Sequence, residues 1–167
     1  MKCLCFSDSH GDSRNIFKAL SKHPDAEVVF FLGDGLSDIE VFLQNDKARA
    51  WIFVRGNCDF CSTVCGIPAK KLESVTLMGK RIVLTHGDLY GVKYGVDGAL
   101  GLANSTNADI VLFGHTHEPY LKYFPDLNSG VYLFNPGSVG KSYNAPASYG
   151  VIELRDGGVL FSNVSFV

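Results

Sequence analysis

Short apolar runs recur along the chain, at residues 3–6, 28–32, 51–54, 82–84 and 110–113. Their length and their β-branched and aromatic content predict buried strands rather than helices. Further runs cover residues 131–134, 151–154 and 159–161. The last two flank Asp156-Gly157-Gly158, a hairpin signal. Residues 72–77 and 81–84 flank Met78-Gly79-Lys80, a second one. Helical spacing falls between the early strands. Ser13 is placed to cap a helix over residues 14–22, with Ile16, Phe17 and Leu20 on one face and Pro24 just beyond its end. A second helix, residues 37–45, buries Ile39 and either Phe42 or Leu43. A third spans residues 94–106, although its glycines weaken it. The first half thus alternates strand and helix, and the second half is mostly strand. This predicts a layered α/β domain with two sheets, parallel strands at the centre and antiparallel strands toward the edges.

A length of 167 residues suits one domain spanning 1–167. A domain near this size buries roughly 70% of the surface its unfolded chain exposes, so disulfide staples are not needed. The formal net charge of -2 gives no general basic character, so nucleic acid is not indicated as a partner. No run approaches the roughly 20 apolar residues of a membrane span. The opening segment turns polar at Ser7 and Asp8, too early for a signal peptide. Five cysteines cannot all pair internally, and Cys3 and Cys5 sit in an apolar run as small core residues. The expected setting is reducing and cytoplasmic.

The chemistry lies where the strands stop. The five early runs lead directly into Asp8-Ser9-His10, Gly33-Asp34, Gly56-Asn57-Cys58-Asp59, Thr85-His86-Gly87-Asp88 and Gly114-His115-Thr116-His117. In open α/β sheets ligands bind outside the carboxyl ends of the strands, and strands of one direction bring all five clusters to one rim. Imidazole nitrogens, carboxylate oxygens and one amide oxygen form a borderline-hard donor set suited to manganese, iron or zinc. Asp8/His10 and His115/His117 are each separated by one residue, so in an extended segment each pair points to one side and grips one ion. Taken singly, each cluster has an ordinary explanation as a capped or glycine-containing turn. The conjunction carries the metal reading: four of the five histidines stand at strand ends beside carboxylates or glycines. His23, next to Pro24, is expected to be a helix C-terminal cation or a surface residue.

In order, these clusters resemble the five signature blocks of the calcineurin-like metallophosphoesterase superfamily. Asn135-Pro136-Gly137-Ser138 resembles a further segment of its small single-domain phosphodiesterase branch. The resemblance implies a sandwich of two mixed β-sheets flanked by helices, in four layers αββα. It also implies two divalent metal ions, manganese first, with iron, zinc, nickel or magnesium as alternatives. One ion is assigned to Asp8, His10, Asp34 and His117, the other to Asp34, Asn57, His86 and His115, with Asp34 bridging. Asp34, Asn57 and His86 are the implied catalytic residues. The implied reaction is hydrolysis of a small phosphate-ester substrate by in-line attack of a water or hydroxide shared by the ions, with diesters favoured over monoesters.

Larger members of the superfamily carry a histidine after Gly-Asn that is proposed to assist the leaving group; here that position is Cys58. A thiol is a poor substitute for an imidazolium near neutral pH. Asp59 is expected to orient neighbouring groups rather than bind metal. Residues 58–68, 88–98 and 118–130 form the loops that shape a substrate pocket; Tyr90, Tyr94 and Phe124 are candidate aromatic walls, with ordinary packing the favoured explanation of each. The rival to an enzyme is a protein-binding scaffold, because the phosphoesterase-fold subunit of the retromer complex resembles the same branch. A weaker rival is a structural zinc protein using Cys58-x-x-Cys61-x-x-x-Cys65, which lacks a nearby fourth ligand; the same cysteines could form a redox pair, and free thiols in a loop are the favoured reading.

Overall fold

The computed structural model describes residues 1–140 and 145–166. The first half runs β1 (Lys2–Phe6), α1 (Arg14–Lys22), β2 (Val28–Phe31), α2 (Leu36–Asn45) and β3 (Ala50–Phe53). Then come two short strands, β4 (Thr63–Val64) and β5 (Ile67–Pro68), and a hairpin of β6 (Leu72–Leu77) and β7 (Lys80–Thr85). A 3-10 turn (Asp88–Tyr90) precedes α3 (Asp97–Thr106). The remainder is β8 (Ile110–Leu112), β9 (Pro119–Phe124), β10 (Val131–Pro136), β11 (Ser148–Arg155) and β12 (Gly158–Ser165).

Among the described residues these strands form two five-stranded mixed sheets, ordered β12-β11-β1-β2-β3 and β6-β7-β8-β10-β9, and the small β4-β5 hairpin. In the second sheet, β7, β8 and β10 are parallel at the centre, with antiparallel β6 and β9 at the edges. The first sheet departs from that expectation at one side. There β3 is an edge strand and runs parallel to β2, because α2 returns the chain to the end of the sheet from which β2 began.

Three apolar layers hold the αββα sandwich together. Leu4, Phe6, Val29 and Phe31 pack against Ile16 and Leu20 of α1 and Leu36 and Ile39 of α2. Their neighbours Cys3, Cys5, Val28 and Phe30 point the other way, against Ile82, Leu84, Ile110 and Leu112. Val83, Val111 and Leu133 face Ala99, Leu102 and Ala103 of α3. Side chains alternate along a strand, so a strand covered on both faces reads as an unbroken apolar run. That is why β1, β2 and β8 lack polar alternation.

Three local expectations need correction. Phe17 is 65% exposed, and α1 buries Ile16, Ala19 and Leu20 instead. Ser13 has a helical rather than extended backbone and makes no capping hydrogen bond; the Arg14 N–H donates to Asp12 Oδ1 (3.2 Å). α3 starts at Asp97, because Gly95 just before it has φ of +147°, outside any helix. Among the described residues no helix is long and apolar enough to cross a membrane.

Candidate metal centre

The parallel strands of both sheets end at one rim, and the five polar clusters meet there. Asp8 and His86 are fully buried, Asp34 nearly so, and His10 and His117 are each about a third exposed through their side chains. The site therefore has a buried carboxylate and imidazole floor and a more open histidine rim.

Among the described residues three groups of donor atoms form; two divide the candidate ligands between them, and the third, His10, Asp34 and Cys58, overlaps both. In the first, His10 Nε2 and His117 Nε2 lie 3.2 Å apart. Asp8 Oδ1 is 3.6 Å from His10 Nε2 and 3.2 Å from His117 Nε2. In the second, His86 Nε2 lies 3.1 Å from His115 Nδ1, 3.1 Å from Asn57 Oδ1 and 3.3 Å from Asp34 Oδ2. Asp34 Oδ2 is also 4.0 Å from His10 Nε2, so this carboxylate stands between the groups.

The pairs separated by one residue behave differently from the extended-strand expectation. Asp8 and His10 share the first group, but His115 belongs to the second and His117 to the first. The reason is backbone conformation. Asp8, His10, Asp34, His115 and His117 all have positive φ, between +45° and +67°. Strand alternation does not apply there. Each such residue costs roughly 1 kcal/mol or more, a strain that persists where surrounding contacts hold it. Asp and His tolerate this region better than most side chains.

The holding contacts are specific. Asp59 accepts four backbone hydrogen bonds, from the N–H groups of Asp34 (2.8 Å), Gly35 (2.9 Å), Leu36 (2.9 Å) and Gly56 (2.8 Å). It ties the β2 loop to the β3 loop, which matches its expected orienting role. Gly56 must lack a side chain, since a Cβ there would lie 2.0 Å from Asp34 Oδ1. The Cys58 N–H donates to Asp34 Oδ1 (2.7 Å), leaving Oδ2 to face the histidines. Asp38 Oδ2 accepts from Ser9 Oγ (2.5 Å) and the Gly11 N–H (2.8 Å), bracing the loop of Asp8 and His10. Ser138 Oγ donates to the Asp8 carbonyl (2.7 Å), and Asn135 Nδ2 donates to the Gly114 carbonyl (3.0 Å) and Thr116 Oγ1 (3.0 Å). The bracing parts of Asp38, Asn135 and Ser138 were not assigned from sequence; residues so distant along the chain leave no local signal.

Removing the Asp59 carboxylate tests this bracing. Asp59→Ala is expected to lower the unfolding free energy by about 2–4 kcal/mol, since four N–H groups lose a charged acceptor. Urea unfolding measures it; a change within about 0.5 kcal/mol would show that water replaces the carboxylate freely.

Electrostatics at the rim favour a cation. His86 Nδ1 lies 2.8 Å from the Leu32 carbonyl, which only accepts, so that nitrogen carries a proton. A neutral His86 then turns a bare Nε2 toward Asp34 Oδ2 and Asn57 Oδ1, oxygen against lone pair. Burial opposes an imidazolium at His86, but hydrogen bonding to Asp34 and the Asp8 and Asp34 charges outweigh it and raise its pKa. Burial also works against the Asp34 charge, yet the His86 contacts and the Cys58 N–H hold its pKa down at about 2. At His115 burial, then the charges of His86 and Lys93, lower the pKa and favour a neutral ring. Asp8 Oδ1 is buried and receives no well-aligned hydrogen bond among the described residues. Two donors about 2.0–2.1 Å from one ion stand about 3.0–3.4 Å apart, which fits both closely spaced histidine pairs. The residues present fit a divalent cation in each group.

The calcineurin-like phosphoesterase superfamily domain matches residues 1–157. The chain belongs to that superfamily. The probable metallophosphoesterase YsnB of Bacillus subtilis is 30% identical over 157 residues, covering 93% of this chain and 86% of YsnB. The phosphodiesterase YfcE of Escherichia coli is 34% identical over 114 residues, 65% of this chain and 55% of YfcE. A Vps29 structure from Entamoeba histolytica is 21% identical, with a TM-score of 0.75 over 100% of both chains, a likeness of fold. Within this calcineurin-like fold the positions matching the signature blocks are those that meet at the rim.

His23 falls outside the site and sits at the C-cap of α1, as expected, though its surroundings disfavour the charged form. Its Nε2 lies 3.0 Å from the Tyr149 hydroxyl, and burial lowers its pKa. Tyr94 is 98% exposed, while Tyr90 and Phe124 pack on the α3 layer. Cys58, Cys61 and Cys65 are exposed free thiols. Only Cys58 joins a group able to hold a metal among the described residues, with His10 and Asp34 rather than the other cysteines. That removes support for a separate zinc site.

Proposed function

We propose that this protein is a metal-dependent phosphodiesterase with a two-metal site, manganese being the preferred ion. The observation that carries the reading is the pair of donor groups joined through Asp34, with Asp8 Oδ1 buried beside them and without a well-aligned hydrogen-bond donor among the described residues. Asp8, His10 and His117 with Asp34 would hold one ion. Asn57, His86 and His115 with Asp34 would hold the other. Bound there, the ions supply an activated water and neutralise charge on the phosphate. The chain's own residues do the positioning. The Cys58 N–H orients Asp34, and the Leu32 carbonyl fixes the His86 ring so that Nε2 faces the centre. Ser138 and Asn135 lock the loops that carry Asp8 and the His115/His117 pair. No side-chain nucleophile is required.

The phosphodiesterase YfcE supports the diester reading by sequence similarity. A second reading, a protein-binding scaffold, is favoured by Phe60, Leu89 and Tyr94, whose large apolar side chains are 95%, 66% and 98% exposed. Esters with graded leaving groups, assayed with manganese, separate the two. With a thiol at Cys58 in place of an imidazole, nitrophenyl diesters are expected to be cleaved far faster than alkyl monoesters, because nitrophenolate departs without a proton. Cys58→Ser is expected to keep that profile. No hydrolysis of any ester by manganese-loaded protein would favour the scaffold. A flat dependence on leaving-group pKa would mean that another group donates the proton.

A further inference from the structure

Beside the metal-site rim lies a cavity of about 490 Å³, within the range of small-molecule sites. Its walls come from the loops that carry the candidate ligands. Val92 lines it and packs on Gly87, next to His86; a Cβ on Gly87 would lie 2.7 Å from Val92 Cγ2. Thr116 lines it from between His115 and His117, with its Oγ1 held by Asn135. Phe113 and Tyr120 meet there with ring centroids 5.9 Å apart and planes inclined by 55°. Val96 closes the α3 side, and the cavity's two charged residues, Lys93 and Glu118, are opposite in sign.

We propose that this cavity is the subsite for one ester arm of the substrate, and that the arm it takes is uncharged, apolar and about the size of an aromatic ring. The inference rests on the phosphodiesterase reading and names the substrate class for it. A phosphate held over the group of His86 and His115 would turn one substituent toward the Val92 and Thr116 walls, which adjoin those two histidines, Val92 through Gly87 and Thr116 in the chain. Those walls are apolar apart from the threonine hydroxyl, which is already engaged, and Lys93 and Glu118 together give the cavity no net formal charge. A charged arm, such as a further phosphate, gains nothing there and loses hydration. A ring gains apolar burial and edge or offset contacts with Phe113 and Tyr120. A diester has two organic arms, so one can occupy the cavity while the other departs.

Phenylphosphonate and methylphosphonate share one metal-binding headgroup and differ only in the arm, and neither needs turnover to be read. Calorimetry on the manganese-loaded full chain is expected to give at least about tenfold tighter binding for phenylphosphonate. In Val96→Asp and Tyr120→Ala the ratio is expected to fall to within about threefold of unity. Val96 occupies the N-cap position of α3, where aspartate is favourable, so that variant keeps its helix. Tyr120→Ala reports independently on the opposite wall. Equal binding of the two phosphonates by wild type, or a full phenyl preference in both folded variants, overturns the cavity assignment while leaving the metal site standing. Binding of neither to protein shown by elemental analysis to be loaded overturns the phosphate-binding site itself, and the subsite with it.

Discussion

Asp34→Asn is expected to lower kcat/KM for an activated phosphodiester by about 1,000-fold or more. The side chain stands between both donor groups, 3.3 Å from His86 Nε2 and 4.0 Å from His10 Nε2 through one oxygen. Its other oxygen is engaged by the Cys58 N–H at 2.7 Å. An amide keeps the shape but removes the negative charge that both groups share. It also points an NH₂ either at the Cys58 N–H or at the histidines, where a donor meets a donor or displaces a cation. His23→Ala is the matched control. It loses the contact with the Tyr149 hydroxyl, which is expected to cost about 1 kcal/mol of stability, with turnover within about twofold of wild type. Steady-state kinetics on both variants, with circular dichroism to establish folding, decides the matter. Equal losses of activity in the two would mean that the histidine and carboxylate assignments do not track the chemistry.

The contrast between Asp34 and His23 shows what the sequence discloses. A strand covered on both faces has no polar position, so β1, β2 and β8 stand out as apolar runs, and the polar residue that ends each run marks the rim. Asp8, Asp34 and His115 stand out for that reason, and His86 because the apolar half of β7, Ile82 to Leu84, ends just before it. The sharing of ligands is not legible from spacing, because it depends on backbone that leaves the strand conformation. His115 and His117 look like one pair in an extended segment, yet their φ values of +67° and +63° turn them to different groups. The bracing residues are hidden for another reason. Asp59 finds its four N–H donors across two loops, and Ser138 reaches Asp8 from 130 positions away. Neither partnership has a local pattern. Phe17 fails in the opposite direction: its apolar side chain satisfies the helical spacing, but the face that meets the sheet is filled by Ile16, Ala19 and Leu20. Tyr90 and Phe124 take the ordinary packing role expected of them, whereas exposure at Tyr94 depends on how the 3-10 turn and α3 are joined. Tyr94 lies outside, while Phe113 and Tyr120, from a strand end and the start of β9, line the cavity.

Removal of metal is expected to abolish hydrolysis, with manganese restoring it and several other first-row ions restoring part, because a mixed nitrogen and oxygen site discriminates poorly among them by affinity. Stability should change as well. The site buries Asp8 and Asp34 together at its floor and holds five non-glycine residues at positive φ across floor and rim. Without an ion, the carboxylates depend on the histidines alone for positive charge. An ion that binds only the folded chain adds about 2.7 kcal/mol at a free concentration 100 times its dissociation constant. For a chain of this size that corresponds to roughly 5–10 °C in the unfolding temperature. Lower pH should weaken the effect, since histidine must be unprotonated to bind metal. Scanning calorimetry on chelator-treated and manganese-loaded protein, paired with elemental analysis and diester hydrolysis on the same samples, measures both quantities. Full turnover in protein shown to be metal-free would sink the two-metal proposal. A thermal shift without any turnover would instead leave a metal-binding fold whose work is not catalysis, and the exposed apolar side chains of Phe60, Leu89 and Tyr94 would then be the first place to look for a protein partner.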